Sequence, residues 1–157
     1  SEDQNSQRSL RTFRDVKMML QAAVLCLALN IYHEARNQPV VGQIAVSQVV
    51  LNRVVSDNFP NDVCGVVRQA KYPDEDPQRL PIRDKCQFSW YCDGKSDSIE
   101  GDVDAYRWAL ILSNRIMSGE FADVTDGATH YHSTKVLPEW SYRKEKLVQI
   151  EDHIFYK

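Results

Sequence analysis

The chain turns from apolar to polar within the segment Asn30-Ile31-Tyr32-His33-Glu34-Ala35-Arg36-Asn37-Gln38-Pro39, which contains one acidic side chain, Glu34. Pro39 disfavours helical geometry at the residue before it, so a helix entering this segment is expected to end at about Asn37. The apolar residues upstream recur every three or four positions, which predicts one helix with an apolar face. They are Val16, Met19, Leu20, Ala23, Val24, Leu27, Ala28 and Ile31.

Glu34 therefore lies in the last turn of the predicted helix. The negative end of the helix dipole disfavours its anion by roughly 0.3–1 kcal/mol, and partial burial would act in the same direction. Both effects raise the pKa of a carboxyl group, as a general acid working near neutral pH requires. Arg36 would oppose this rise if it turned toward Glu34. A lone glutamate at a helix end is more often simply solvated, so the surroundings of Glu34 must decide between the two interpretations.

Length and composition predict one soluble domain. The chain has 157 residues, of which 43% are hydrophobic and 26% are charged, and its formal net charge is −3. These values are ordinary for a globular domain, which we assign to residues 9–157 after a flexible tail at residues 1–8. Because the sequence has no basic block, nucleic acid is not expected as the main partner, and strong attraction to anionic membranes is not expected either. The sequence does not indicate an oligomeric state.

The N-terminal region resembles a signal peptide, because four basic residues precede a short apolar run from Met18 to Ala28. Gln21 interrupts that run, and cleavage after Ala28 would leave Glu34 almost at a free terminus. The run is also too short to span a bilayer. We therefore expect no membrane span.

The four cysteines predict one disulfide and two free thiols. Cys26 falls on the apolar face of the first helix, where a buried free thiol is expected. Cys86 and Cys92 bracket a short segment and could close it with a disulfide, while Cys64 is a rival partner for either. A disulfide would indicate an oxidising compartment. Zinc is less favoured because the sequence contains no Cys-x-x-Cys.

The rest of the chain predicts an α+β fold with a mainly helical body and a small antiparallel sheet. Residues 40–55 keep helical spacing over more than the usual length of a strand, so we expect a buried central helix. Residues 70–85 are polar and lack periodicity, which indicates an exposed loop. The remaining predicted elements are a short helix capped by Asn61, an extended piece at 87–91, a helix at 102–118, a strand at 128–132 and two extended runs within 147–156.

The segment Gln87-Phe88-Ser89-Trp90-Tyr91 could hold a sugar next to Glu34. Sugars are commonly held by flat aromatic faces together with amides and hydroxyls that form hydrogen bonds. The alternative is that Phe88 and Trp90 only pack in the core.

The segment His130-Tyr131-His132 alternates as a strand does, which places both histidines on one face. The histidines could be structural, could line a substrate groove, or could form a metal pair with His153, Asp93 or Cys92 as a third ligand.

Other catalytic motifs are not found. His33-Glu34 begins like the His-Glu-x-x-His helix of zinc peptidases, but position 37 is Asn, so the second ligand is missing. Neither Gly-x-Ser-x-Gly nor a glycine-rich phosphate loop occurs.

Taken together, six segments in this order resemble the SleB-like (spore-cortex-lytic) cell wall hydrolase family, over about residues 27–156. Each segment is modest alone, but six in the same order make a specific match. They are Tyr32-His33-Glu34-Ala35-Arg36, Gly42-Gln43-Ile44-Ala45-Val46 running into Val50-Leu51-Asn52-Arg53-Val54, Phe59-Pro60-Asn61-Asp62-Val63-Cys64-Gly65-Val66-Val67, Cys86-Gln87-Phe88-Ser89-Trp90 with Cys92-Asp93-Gly94, Gly127-Ala128-Thr129-His130-Tyr131-His132, and His153-Ile154-Phe155-Tyr156.

The resemblance implies a lysozyme-like fold, cleavage of the glycan strand of peptidoglycan, and one catalytic glutamate, which by motif is Glu34. Members are described as lytic transglycosylases, in which one carboxyl group is first acid and then base, so no cofactor, metal or second carboxylate is implied. The alternatives are a hydrolytic muramidase, with Asp93 as the second acid, or a metal-dependent amidase or peptidase that uses the histidines. The expected substrate-binding residues are Gln87, Phe88, Ser89, Trp90, Tyr131 and His132.

Two features depart from the better-known members of this family. The peptidoglycan-binding module that often precedes the domain is not in the sequence, and the loop at residues 70–85 is longer and charged. We therefore expect a role other than spore germination, in the cell envelope (periplasm or cell wall) or as a phage-derived lysin acting there.

Overall fold

The computed structural model describes residues 2–75, 78, 80–99 and 101–157. In this part of the chain the body consists of four α-helices, α1 (Glu2–Ala35), α2 (Val40–Val54), α3 (Val63–Val67) and α4 (Val103–Met117). Three strands, β1 (His130–Ser133), β2 (Lys146–Ile150) and β3 (His153–Tyr156), form one antiparallel sheet in the order β1-β3-β2. Short 3-10 helices lie at Pro73–Glu75, Ser89–Tyr91 and Glu139–Arg143. The predicted α+β fold, helical with a small antiparallel sheet, is confirmed.

Only the second half of α1 belongs to the core. The side chains of residues 3–22 are exposed, whereas Cys26, Leu27, Ala28 and Ile31 are buried. The helix begins at Glu2 and therefore includes residues 2–8. That residues 1–8 form a flexible tail stays a prediction. Several of the polar residues of α1, among them the arginines and glutamines, have a high helix propensity. The assignment of a single domain to residues 9–157 stays a prediction.

Helix α1 is also long and apolar enough, by length and composition, to cross a membrane. Core helices and signal sequences satisfy the same criterion, and 33% of its most apolar window is buried within the structure. The expectation that the chain has no membrane span therefore stays a prediction.

Helix α2 is the buried central helix that its spacing predicted. All residues from Gly42 to Val50 are buried, and the helix contacts α1, α3, α4 and two strands of the sheet. Pro39 precedes it and lacks the N–H group that would be unpaired at the start of a helix. Four buried residues of α2 are nevertheless polar or charged, namely Gln43, Ser47, Gln48 and Arg53.

The prediction of a free thiol at Cys26 is wrong. Cys26 is bonded to Cys64, with a Cα–Cα distance of 5.3 Å, and Cys86 is bonded to Cys92, as one of the proposed pairings had it. No described cysteine is free. The apolar face of α1 that carries Cys26 packs on α3, which begins one residue before Cys64. Periodicity identified that face as buried but could not identify the element that covers it.

Two local elements differ from the sequence expectation. The short helix α3 is capped by Asp62, whose carboxylate accepts a hydrogen bond from Gly65 N at 2.7 Å, and not by Asn61. The segment 87–91 is not extended, because Ser89–Tyr91 forms a 3-10 turn inside the loop closed by Cys86 and Cys92. Of the predicted polar loop at 70–85, residues 76, 77 and 79 lie outside the described residues. A bridge between Ala70 and Cys86 closes its base.

The sheet places alternate side chains of β1 on opposite faces. Strand β1 begins at His130, two residues later than predicted, and it pairs with β3 so that His130 lies opposite Tyr156 and Tyr131 opposite Phe155. One face therefore carries His130 and His132, and the other carries Tyr131. This alternation decides which of them can reach α1.

Candidate active site

Glu34 and Tyr131 meet where the end of α1 faces the sheet. The Tyr131 hydroxyl donates a hydrogen bond to Glu34 Oε2 at 3.0 Å, across 97 residues of sequence. The Glu34 side chain is half-buried. The Tyr131 ring packs against His153 and Phe155, with ring centroids 5.2 and 5.7 Å away. These contacts fix the direction of the Tyr131 hydroxyl. The structure thus brings together two of the predicted site residues, Glu34 and Tyr131.

Burial raises the pKa of Glu34, which is the main perturbation of this group. The hydrogen bond from Tyr131 and the positive charge of Arg53 act in the opposite direction and reduce the rise without cancelling it. Arg36, the cation that the sequence suggested, lies over the Tyr32 ring at 4.6 Å instead. The carboxyl group therefore keeps its proton to a higher pH than an exposed glutamate does, as a general acid requires.

Arg53 is the functional candidate that the sequence reasoning missed. Its side chain is only 5% exposed, and its Nε donates to the Thr129 carbonyl at 2.7 Å. The guanidinium lies over the rings of Phe59 and Phe88, at 4.8 and 5.5 Å from their centroids. Its Nη1 is buried, and no group in the described part of the chain accepts a hydrogen bond from it. The available signal in the sequence was a lone arginine near the end of an apolar helical segment.

Two polar contacts hold the end of α1 in place. Gln43 Nε2 donates to the Ala35 carbonyl at 3.1 Å, and Gln43 Oε1 accepts from Trp108 Nε1 at 2.9 Å. The His33 ring stacks on Trp90 with a centroid distance of 4.6 Å. Glu34 lies between these anchored residues, so its position is set by the core and not by a mobile loop.

The remaining predicted site residues are divided between core and surface. Phe88 and Trp90 are 3% and 7% exposed, and Trp90 Nε1 donates to Asn30 Oδ1 at 3.0 Å. Such burial leaves little ring surface for a sugar and favours the packing interpretation. Gln87 and Ser89 are exposed. Their role in substrate binding stays a prediction.

His132 lies on the face of the sheet away from Tyr131. Its Nε2 shares a hydrogen bond with the Tyr156 hydroxyl at 2.8 Å, and its ring is 6% exposed. His130 lies on the same face, and both rings contact Trp140. His153 contacts Tyr131 on the opposite face. Across the described ranges, no three His, Cys, Asp or Glu side chains are grouped so as to hold a metal ion.

Asp93, the candidate for a second carboxylate, belongs to a tight turn. Its Oδ1 accepts a hydrogen bond from Lys95 N at 2.9 Å. The charged group that acts on Glu34 is Arg53, and the carboxylate that interacts with Asp93 is that of Asp97. In the part of the chain that the structure describes, no contact joins Asp93 to Glu34.

Comparison with known proteins places these residues in a family. A sequence model of the cell wall hydrolase family (Hydrolase_2) matches residues 37–156, more than half of the chain. The chain belongs to this family. The matched range starts three residues after Glu34, so it does not itself test the role of that residue. The SleB-like resemblance of the sequence is confirmed.

Sequence relatives and solved structures point the same way. The spore cortex-lytic enzyme of Halalkalibacterium halodurans is 31% identical over 142 residues, which are 90% of this chain and 34% of that enzyme. The chain thus spans about a third of the length of this relative. The catalytic domain of Bacillus cereus SleB superposes with a TM-score of 0.60 at 28% identity, covering 87% of this chain and 91% of that domain. The catalytic domain of the germination-specific lytic transglycosylase SleB from Bacillus anthracis gives 0.61 at 27%, with 87% and 95% covered.

Proposed function

We propose that this chain is an enzyme that cleaves the glycan strand of peptidoglycan as a lytic transglycosylase, with Glu34 as its single acid and base. The observation that carries the proposal is the half-buried carboxyl group of Glu34, whose pKa is raised by burial and whose Oε2 is held by Tyr131. The similarity to the catalytic domains of SleB supports the same reaction. With this substrate the enzyme would act in the cell envelope (periplasm or cell wall), or as a phage-derived lysin there.

The hydrogen bond from Tyr131 assigns different tasks to the two carboxyl oxygens. Because Tyr131 donates to Oε2, we assign the acid proton to Oε1, the oxygen that Tyr131 does not occupy. In the first step Oε1 gives this proton to the glycosidic oxygen as the bond from C1 of N-acetylmuramic acid breaks. Positive charge then develops on the sugar ring, and Glu34 becomes a carboxylate.

In the second step the Glu34 carboxylate acts as the base. The C6 hydroxyl of the same N-acetylmuramic acid attacks C1, and its proton passes to Glu34. The products are a strand with a new free hydroxyl at the leaving sugar and a strand ending in a 1,6-anhydro ring. Glu34 is restored and no water is consumed, so one carboxyl group suffices. A hydrolytic muramidase would need a second carboxylate at a defined separation.

Arg53 and Tyr131 would stabilise Glu34 between the two steps. The positive charge of Arg53 and the Tyr131 hydroxyl both favour the carboxylate form. Gln87 and Ser89, which are exposed on the loop that contains Trp90, are proposed to form hydrogen bonds with the sugars. Phe88 and Trp90 would act by supporting this surface, and His132 by its hydrogen bond with Tyr156 in the sheet that carries Tyr131.

The test is mass spectrometry of the fragments released from purified peptidoglycan, with and without a chelator. We expect fragments ending in 1,6-anhydro-N-acetylmuramic acid, unaffected by the chelator. Ordinary reducing ends would indicate hydrolysis, and cleaved peptide stems that vanish with the chelator would indicate a metal-dependent amidase. Either result would overturn the proposal.

Replacing the carboxyl group gives the matched test of Glu34. Loss of a general acid typically costs about 10²–10⁴-fold in rate, and here the same group is also the base. We therefore expect Glu34→Gln to lose at least about a hundredfold in kcat. Glu139→Gln, at an exposed carboxylate, is the control and should leave kcat unchanged. Activity of Glu34→Gln within about tenfold of the parent would rule out the assignment.

A further inference from the structure

Two adjoining cavities lie beside the segment that follows α3. They have volumes of about 420 and 290 Å³ and share Gln69 and Ala70 in their walls. The first also contains Arg68, Tyr72 and Tyr91, and the second contains Lys71, Lys85 and Gln87. We call this surface the basic groove.

The basic groove is positively charged in a chain that is negative overall. Arg68, Lys71 and Lys85 line it, and the lining residues that the structure describes include no Asp or Glu. In the described part of the chain, none of these three cations forms an ion pair with a carboxylate. Two nearby carboxylates in the described part of the chain have other partners, since Asp62 caps α3 and Asp84 lies 3.9 Å from Arg83.

The backbone of the basic groove is held in place before any ligand binds. Lys71 N donates to the Lys85 carbonyl at 3.0 Å, and Gln87 N donates to the Gln69 carbonyl at 3.0 Å. The disulfide between Cys86 and Cys92 closes the adjacent loop. Such a site loses little conformational entropy on binding.

The basic groove also offers an unused hydrogen-bond acceptor. Gln69 Oε1 is buried, and no donor within the described residues reaches it. An unpaired buried acceptor is costly unless a ligand supplies an N–H group. Tyr72 and Tyr91, which share a hydrogen bond, place two hydroxyl groups nearby. The surface thus matches a ligand that carries both carboxylates and amide N–H groups.

We propose that the basic groove binds the acidic peptide stem of peptidoglycan, with Arg68, Lys71 and Lys85 facing its carboxylates and Gln69 accepting an amide N–H. This inference rests on the proposed function, because the stems branch from the glycan strand that Glu34 would cleave. The two surfaces share one segment. Gln87 lines the groove, and Trp90 stacks on His33 next to Glu34.

The experiment compares two substrates that differ only in their stems. Glycan strands with stems and the same strands stripped of stems by an amidase are cleaved by the parent and by the triple variant Arg68→Gln, Lys71→Gln, Lys85→Gln. We expect the variant to show about a tenfold higher KM on strands with stems, since each exposed ion pair contributes little. Its kcat on both substrates and its KM on stripped strands should equal those of the parent.

A matched control separates local binding from net charge. Arg8→Gln, Arg11→Gln, Arg14→Gln removes the same number of charges from the exposed half of α1 and should leave every KM unchanged. An unchanged KM in the groove variant, or an equal rise on both substrates, would overturn the proposal.

A binding measurement keeps this inference separate from the cleavage reaction. A synthetic stem tetrapeptide with free carboxylates is titrated into the parent and the groove variant, with chemical shifts as the readout. We expect shifts at Gln69 and Gln87 in the parent, none in the variant, and none when the carboxylates are amidated. If the parent cleaves neither substrate, the proposed function is wrong, and this titration still shows whether the basic groove binds the stem peptide. A parent that does not bind the tetrapeptide overturns the inference.

Discussion

The carboxyl group of Glu34 occupies a place that its anion disfavours. Burial raises its pKa, and Tyr131 and Arg53 only partly offset the rise. Below the pKa that Glu34 has in the unfolded chain, the carboxyl group is protonated in both the folded and the unfolded state and does not affect the free energy of folding. As the pH rises from the unfolded to the folded pKa, the unfolded chain loses its proton first, so folding is progressively destabilised. Above the folded pKa the penalty is constant.

Glu34→Gln should therefore be more stable than the parent at neutral pH. The amide is uncharged and can still accept the hydrogen bond from Tyr131, so it removes the penalty without removing the contact. The difference in thermal midpoint should shrink as the pH falls and vanish once the carboxyl group is protonated in both states. Thermal unfolding at several pH values checks this. A gap that is independent of pH, or a less stable variant at neutral pH, would contradict it.

The charge of Arg53 can be tested through the pKa of Glu34. Burial is the main cause of the raised pKa, and Arg53 lowers it. Arg53→Met should therefore raise the pKa of Glu34 further, and Arg53→Lys should restore part of the difference. Carbon-13 NMR titration of the Glu34 carboxyl group measures this, and the alkaline limb of the rate profile should move in the same direction.

A purely structural role of Arg53 predicts the opposite sign. If the variant only loosened the packing, water would reach Glu34 and its pKa would fall toward the ordinary value. Arg36→Met is the matched control, because Arg36 is closer in sequence but lies over Tyr32. It should leave the titration of Glu34 unchanged.

At the scale of single residues, the sequence predicted what local geometry determines. Helix spacing and Pro39 placed Glu34 in the last turn of α1, and the family resemblance proposed it as the catalytic residue. Arg53 was missed because its effect on Glu34 depends on how α2 packs against α1 and on the Thr129 carbonyl. No periodicity along one helix contains that information.

At the scale of elements, the two disulfides contribute unequally to the free energy of unfolding. Cys26–Cys64 joins α1 to α3 across 38 residues, whereas Cys86–Cys92 closes a loop with a sequence separation of 6. Loop entropy in the unfolded chain gives about 4 kcal/mol for the first and about 2 kcal/mol for the second. Cys26→Ala, Cys64→Ala should therefore lose more unfolding free energy than Cys86→Ala, Cys92→Ala. Denaturant unfolding of both variants is the measurement, and equal losses would contradict the entropic account.

The sequence predicted long elements well and short ones poorly. Helices α2 and α4 extend over many periods, so their apolar faces are unambiguous. The 87–91 segment has too few residues to distinguish alternation from the 3-10 turn that it forms. The cap of α3 was assigned one residue early because Asn61 and Asp62 are both suitable capping residues, and only the fold selects Asp62.

At the scale of the whole molecule, helix α1 has two parts that differ in burial and in the contacts that stabilise them. From Cys26 onward it is stabilised by the core and by a disulfide. Residues 3–22 have exposed side chains, including Leu10, Phe13 and Met19, and isolated helices of this length are marginal in water. The first part therefore contributes little to the stability of the fold, although it is continuous with the helix that carries Glu34.

Stepwise truncation of α1 tests this division. The side chains of residues 3–17 are exposed, so removing residues 1–17 should leave the thermal midpoint and the rate of glycan cleavage equal to those of the full chain. Removing residues 1–27 deletes Cys26 and Leu27, which opens the disulfide and leaves a cavity in the core, and it should abolish cooperative unfolding. Hydrogen exchange on the full chain should show the same boundary, with weak protection before Ala23 and strong protection after it. A midpoint lowered by several degrees in the shorter truncation would contradict this division. It would mean that the exposed half of α1 makes stabilising contacts, as it would if a second copy of the chain covered its apolar residues.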